Sequence, residues 1–111
     1  MNVLPATATR DLETQAKLPG LFVQGCGGTL NRLQQFTSAQ LARPENRWSG
    51  MNRMGWLSPD YDRAYQAFTQ TLDGSDRIRT AAEMHRLLTE QLPITPYWLR
   101  PVITAHVRAL T

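Results

Sequence analysis

SPDYDRAYQAFTQTLDGSDRIRTAAEMHRLLTEQLP, residues 58–93, is the stretch whose reading decides the fold. Ser58 suits a helix N-cap, Pro59 the first helical position, and Asp60 the positive end of the helix dipole. Tyr61, Ala64, Tyr65, Phe68 and Leu72 then recur every three or four residues, which predicts one apolar face. Asp73-Gly74 ends this helix, and Ser75 or Asp76 opens the next. Ile78, Ala81, Met84, His85, Leu88 and Leu92 mark the expected buried face of that second helix, and Pro93 stops it. The two form an αα-hairpin.

Outward from the hairpin the pattern changes. Ile94–Leu99 and Val102–Val107 read as two strands, with Pro96 and Pro101 placing them at an edge or a change of direction. Upstream, Thr9 is the expected cap of a short helix running to about Lys17, and Pro19-Gly20 breaks the chain. Leu21-Phe22-Val23 reads as a buried strand and Gly25–Thr29 as a loop. Leu30, Leu33 and Phe36 predict a short helix over 30–38. The expected class is therefore α/β, of mixed α+β character, with the αα-hairpin followed by two strands.

The 111 residues carry a net charge of +3, and the pI is about 9.6. Eleven of the twelve cations are arginine, and they are spread from Arg10 to Arg108 rather than clustered. That distribution reads as a solvated surface, not a nucleic-acid face. No run of 18 apolar residues exists, so no membrane-spanning helix is expected. Residues 1–10 lack the charged and apolar regions of a secretory signal. Cys26 is the sole cysteine, so no internal disulfide is possible. Cys26, His85 and His106 have none of the paired spacings of metal or catalytic sites, and the carboxylates fall where caps and solvated helix faces explain them. Gly25–Gly28 lacks the Gly-Lys-Ser/Thr ending of a phosphate loop. Neither enzyme chemistry, nor a metal, nor a cofactor is expected.

Residues 40–57 are the least regular stretch, and they hold two tryptophans, two asparagines and several arginines. A long loop of this composition has two readings. Trp48 and Trp56 anchor it to the core, or Asn46, Arg47, Trp48, Asn52, Arg53 and Trp56 line a ligand cleft of aromatic walls, amides and cations.

From Pro44 onward the order of elements resembles the C-terminal signature of extracytoplasmic solute-binding protein family 5, the dipeptide, oligopeptide and nickel-type binding proteins of ABC importers. The resemblance is carried by the asparagine-containing loop Pro44–Met54, then Gly55-Trp56, then Ser58-Pro59-Asp60-Tyr61-Asp62. Asp73-Gly74-Ser75-Asp76-Arg77 follows, and Leu92-Pro93-Ile94-Thr95-Pro96-Tyr97-Trp98 closes it. It covers about residues 44–107 and extends loosely back to 19. Gly-Trp stands where the family more often has Gly-Tyr.

The resemblance implies part of one lobe of a type II periplasmic-binding-protein fold. Residues 1–18 would be a lead-in and 19–111 the C-terminal part of that lobe. It implies a periplasmic or extracytoplasmic protein, peripheral to the membrane, that closes two lobes on a peptide or similar small solute and delivers it to a permease. The first lobe and the signal sequence would lie outside this chain, which alone would bind solute weakly or not at all. The competing expectations are a small basic nucleic-acid-binding module and a self-associating interaction domain.

Overall fold

The computed structural model describes residues 10–19 and 30–95, together with Thr7. Three α-helices organise them: α1 (Leu12–Lys17), α2 (Pro59–Gln70) and α3 (Gly74–Gln91), with 3-10 helices at Leu30–Phe36, Ser38–Gln40 and Pro44–Asn46.

The α/β expectation is corrected. The described residues contain no strand, and their β pairing is one isolated parallel bridge between Leu41 and Asn52. Ile94, the expected start of a strand, lies in a bend after Pro93 and packs against the helical core. Leu92 explains the turn: it sits in the left-handed region (φ 46°) and closes α3 through its N–H to Leu88 O at 3.1 Å. The chain therefore folds back onto the hairpin at Leu92-Pro93 instead of extending. The other expected strands, residues 21–23 and 96–107, lie outside the described residues, as do the loop at 25–29, Cys26 and His106.

Helix α1 is capped by Asp11, two residues later than the expected Thr9. The Asp11 carboxylate accepts from the Thr14 N–H at 2.8 Å and from its hydroxyl at 2.6 Å. The predicted helix over 30–38 is a 3-10 helix ending at Phe36, followed by a second one at Ser38–Gln40. Its apolar spacing is three throughout, the repeat that a three-residue turn aligns on one face. Phe36 is buried and Leu33 is half-buried against the core.

Helix α2 begins as its sequence predicts. Ser58 Oγ accepts from the Tyr61 N–H at 3.3 Å, and Pro59 stands in the first turn. Tyr61, Ala64 and Phe68 are its buried face. The helix ends at Gln70, before the expected Asp73-Gly74. Asp73 instead caps α3, accepting from the Asp76 N–H at 2.9 Å and from the Ser75 hydroxyl. Leu72, expected on the inner face of α2, is 95% exposed in the link between the helices.

The hairpin is clamped at this end by Arg77. Its Nη1 donates to Phe68 O and Thr71 O, both at 3.2 Å, and its guanidinium lies 4.3 Å from the Phe68 ring centroid. An arginine in the first turn of α3 thus satisfies carbonyls that the end of α2 leaves open.

The core is Phe36, Tyr61, Ala64, Phe68, Met84 and Leu87, with Leu33, Trp56, Tyr65, Ala81, Leu88 and Ile94 packed around it. Tyr61 is its centre. The ring meets Phe36 and Trp56 edge-to-face, with centroids 6.1 and 5.1 Å away, and its hydroxyl donates to Leu33 O at 2.9 Å. On α3 the buried stripe runs through Met84 and Leu87. Ile78, His85 and Leu92, expected inside, are exposed, and Leu87, absent from the expected face, is buried.

The exposed caps carry an acid-dependent part of helix stability. Hydrogen bonds from the Ser75 hydroxyl and the Asp76 N–H hold the Asp73 carboxyl below its ordinary value of 3.8. A depressed carboxyl contributes stability above the ordinary value and loses it as pH falls through the depressed one. Wild-type protein is expected to lose more helical circular dichroism between pH 5 and about pH 2 than Asp73→Asn, which caps without titrating. Parallel acid profiles of the two proteins would contradict this.

Candidate functional site

The loop from Leu41 to Leu57 is built around Asn52, which is 0% exposed. Its side-chain amide donates to Trp56 O at 2.7 Å and to Thr37 O at 3.2 Å. Its backbone N–H donates to Gln40 O at 2.8 Å, and its carbonyl accepts from the Ala42 N–H at 3.2 Å. One residue therefore ties the loop to the 3-10 segment before it and to the approach of α2. The two accepting carbonyls fix the orientation of the amide. Asn52 Oδ1 is left buried without a hydrogen-bond partner among the described residues.

Gly50 makes this contact possible. A Cβ at Gly50 would lie 2.3 Å from Gln40 O and 2.6 Å from Ala42 N, both backbone atoms. Gly50→Ala must therefore separate the segments that Asn52 joins. A destabilisation of about 1–3 kcal/mol is expected, the usual cost of overpacking. Urea unfolding followed by tryptophan fluorescence would measure it, and an unchanged midpoint would contradict the close approach.

Asn46 shapes the other end of the loop. Its Oδ1 accepts from the Arg43 N–H at 3.0 Å, and its Nδ2 donates to Leu41 O at 2.8 Å. Arg47 and Trp48 follow with φ of 53° and 60°. Two successive non-glycine residues in the left-handed region cost roughly 1–2 kcal/mol each. Hydrogen bonds from Arg47 N to Pro44 O and from Trp48 N to Arg43 O, both 2.9 Å, hold them there.

The loop side chains face different neighbours. Trp56 packs on Tyr61 and donates its indole N–H to Gln91 Oε1 at 2.9 Å, at the end of α3. Lys17 Nζ lies 4.9 Å from the centroid of the Trp48 ring, an attraction between cation and π face. Arg53 donates from Nη1 to Gln15 Oε1, and its Nε is buried without a hydrogen-bond partner among the described residues. Arg47 is exposed.

Of the six residues predicted for a cleft, the two asparagines thus spend their amides on backbone groups, and Trp56 belongs to the core. Trp48 and Arg53 form the contact with α1. Two open depressions among the described residues lie elsewhere. One is lined by Asp60, Arg63, Ala64, Arg79, Thr80 and Glu83 between α2 and α3, the other by residues of α1 and its flanks.

Asp62 escaped the sequence reading. From α2 its carboxylate accepts from the Ser38 N–H at 2.9 Å and from the Ser38 hydroxyl, capping a 3-10 helix 24 residues away. Only the acidic first turn of α2 marks it in the sequence, and that signal also explains a simple dipole effect.

Among the described residues no three His, Cys, Asp or Glu side chains are grouped to hold a metal ion. No helix among them is long and apolar enough to cross a membrane. No protein-family model, characterised protein or solved structure matches the chain.

Proposed function

We propose that this chain is the C-terminal portion of the substrate-binding component of an ABC importer, taking peptides or similar small solutes outside the cytoplasm. The observation that carries the reading is the order and spacing of the run from Pro44 to Trp98. The positions that make up that run have exacting structural jobs. Asn52 joins three segments, Ser58-Pro59 starts α2, Asp62 caps its neighbour, Arg77 closes the turn and Leu92-Pro93 ends α3. A spacing held by such jobs supports the reading as a scaffold, and it leaves solute contacts to exposed side chains such as Arg47.

In this role the chain contributes one wall of a site that closes by bringing two bodies together, so affinity comes from contacts on both sides. The nucleic-acid alternative draws little support. Arg63, Arg79 and Arg86 are each ion-paired with a carboxylate on their own helix, which lowers the positive field such a partner needs.

The flanking reading frame tests the proposal directly. A preceding coding region with an export signal and a first lobe is expected, and a frame without them sinks it. Calorimetry of the isolated chain with di- and oligopeptides is expected to show no binding in the micromolar range. Micromolar binding would overturn the division of the site between two bodies.

A further inference from the structure

Arg53 is a half-buried cation that no carboxylate among the described residues neutralises. Lys17, Arg63, Arg79 and Arg86 differ, since each faces an acid on its own helix. Arg53 Nε is sealed from solvent without a hydrogen-bond partner among the described residues, and Nη1 donates to the neutral amide oxygen of Gln15. Taking a guanidinium out of water without a counter-charge is costly. The backbone beneath it is fixed. Asn52 is pinned through side chain and main chain, and the Arg53 N–H donates to Met51 O at 3.1 Å. A cation held this way is organised in advance for an anion.

Its cover is weakly anchored. Helix α1 has six residues, none of them buried and none in the core cluster. A helix this short is not stable alone in water. Gln15 on Arg53, and Lys17 at 4.9 Å from the centroid of the Trp48 ring, tie it to the loop. The Gln15 amide is planar and differs from a carboxylate in charge, not in shape. A carboxylate in its place would offer two charged oxygens to the flat guanidinium fork, which is the stronger, bidentate pairing.

We propose that Arg53 is a binding site for the carboxylate of a small solute, and that α1 closes the site with Gln15 until an acid displaces that side chain. The occupant is a carboxylate rather than a phosphate because the group already in place is planar. Binding and release of α1 are two sides of one equilibrium: an acid on Arg53 removes the Gln15 contact, and a docked α1 weakens the acid. Losing the Gln15 contact leaves Lys17 on Trp48 as the remaining tie, so the Trp48 ring reports the opening. The site does not depend on the importer role, because a carboxylate needs only Arg53.

A chemical-shift titration of the isotope-labelled chain tests it, at constant ionic strength. The probes are N-acetylglycine and its uncharged counterpart N-acetylglycinamide. The acid is expected to shift the Arg53 Nε–H and Trp48 indole N–H signals with a Kd of about 1–50 mM, and the amide to shift neither. Gln15→Ala is expected to tighten binding about threefold or more, because the closed population disappears. Gln15→Glu is expected to abolish binding, since the site then holds its own carboxylate, and to raise the melting midpoint by about 2–6 °C. That gain is expected to vanish in an Arg53→Gln background, which ties it to the pair rather than to α1 alone. Equal shifts from acid and amide overturn the proposal, as does tighter binding of inorganic phosphate. So does binding that survives Arg53→Gln or Gln15→Glu, or a midpoint that Gln15→Glu leaves unchanged.

Discussion

Replacing Tyr61 with alanine is expected to cost about 3–5 kcal/mol, the range for emptying a large aromatic site in a core. Tyr61 is 0% exposed and meets two aromatic neighbours edge-to-face, Phe36 and Trp56. Its ring links α2 to the 3-10 helix before it and to the loop above it, so no single neighbour can collapse into the space. A domain of this size has only about 5–15 kcal/mol in total, and Tyr61→Ala is expected to leave much of the protein unfolded at 37 °C. Tyr61→Phe separates the ring from the hydroxyl. It keeps the packing and strands only Leu33 O, which the hydroxyl serves at 2.9 Å, so a loss of about 1 kcal/mol is expected. Urea denaturation of both variants measures the difference. Equal losses would place the stabilisation in the hydrogen bond rather than the ring. Burial also pushes the Tyr61 phenol above its ordinary value of 10.0. Stability from the neutral phenol is complete below that value and fades as pH rises through the higher folded one.

Asn52→Asp is the second large effect, expected at about 3–5 kcal/mol. The substitution removes two donors and leaves Thr37 O and Trp56 O facing another acceptor instead of an N–H. Each buried group left unpaired costs about 1–3 kcal/mol, and an uncompensated buried charge adds more. Asn52→Leu, of similar size, strands the same carbonyls without the charge and is expected to cost about 2–3 kcal/mol. The ordering is the test. An aspartate tolerated better than leucine at neutral pH would mean that water reaches the site and that Asn52 is not sealed among backbone groups.

Both variants act on the same joint, where the loop of residues 41–57 meets the helical hairpin. That joint was only partly legible beforehand. Ser58-Pro59-Asp60 marks the start of α2 because capping is local: donor and acceptor lie three residues apart. The inner face of α2 is legible for a similar reason, since Tyr61, Ala64 and Phe68 share one side of any helix. Asn52 and Asp62 are different. An asparagine in a long loop offers the same amide to a solute and to a carbonyl, and the carbonyl it finds on Thr37 is fifteen residues away. Asp62 reaches Ser38 across twenty-four. No local spacing announces such pairs, so the sequence leaves the loop open to both readings, anchor and cleft, and does not show that Asn46 and Asn52 bond backbone groups.

The amino-acid order was enough to establish an αα-hairpin over residues 58–92, its first cap, its stop at Pro93 and most of its buried positions. These follow from helix periodicity and end effects, which act within a few residues. Tertiary packing decided the rest. It chose which part of a broad apolar face on α3 turns inward, selecting Met84 and Leu87 over Ile78 and Leu92. It turned Ile94 back onto the helices in place of a strand, and it assigned Asn52 and Asp62 to distant backbone partners. The physical reason is common to all three. Periodicity says that a side chain can be buried, but only the position of the neighbouring helix and the nearest unpaired carbonyl or N–H says against what.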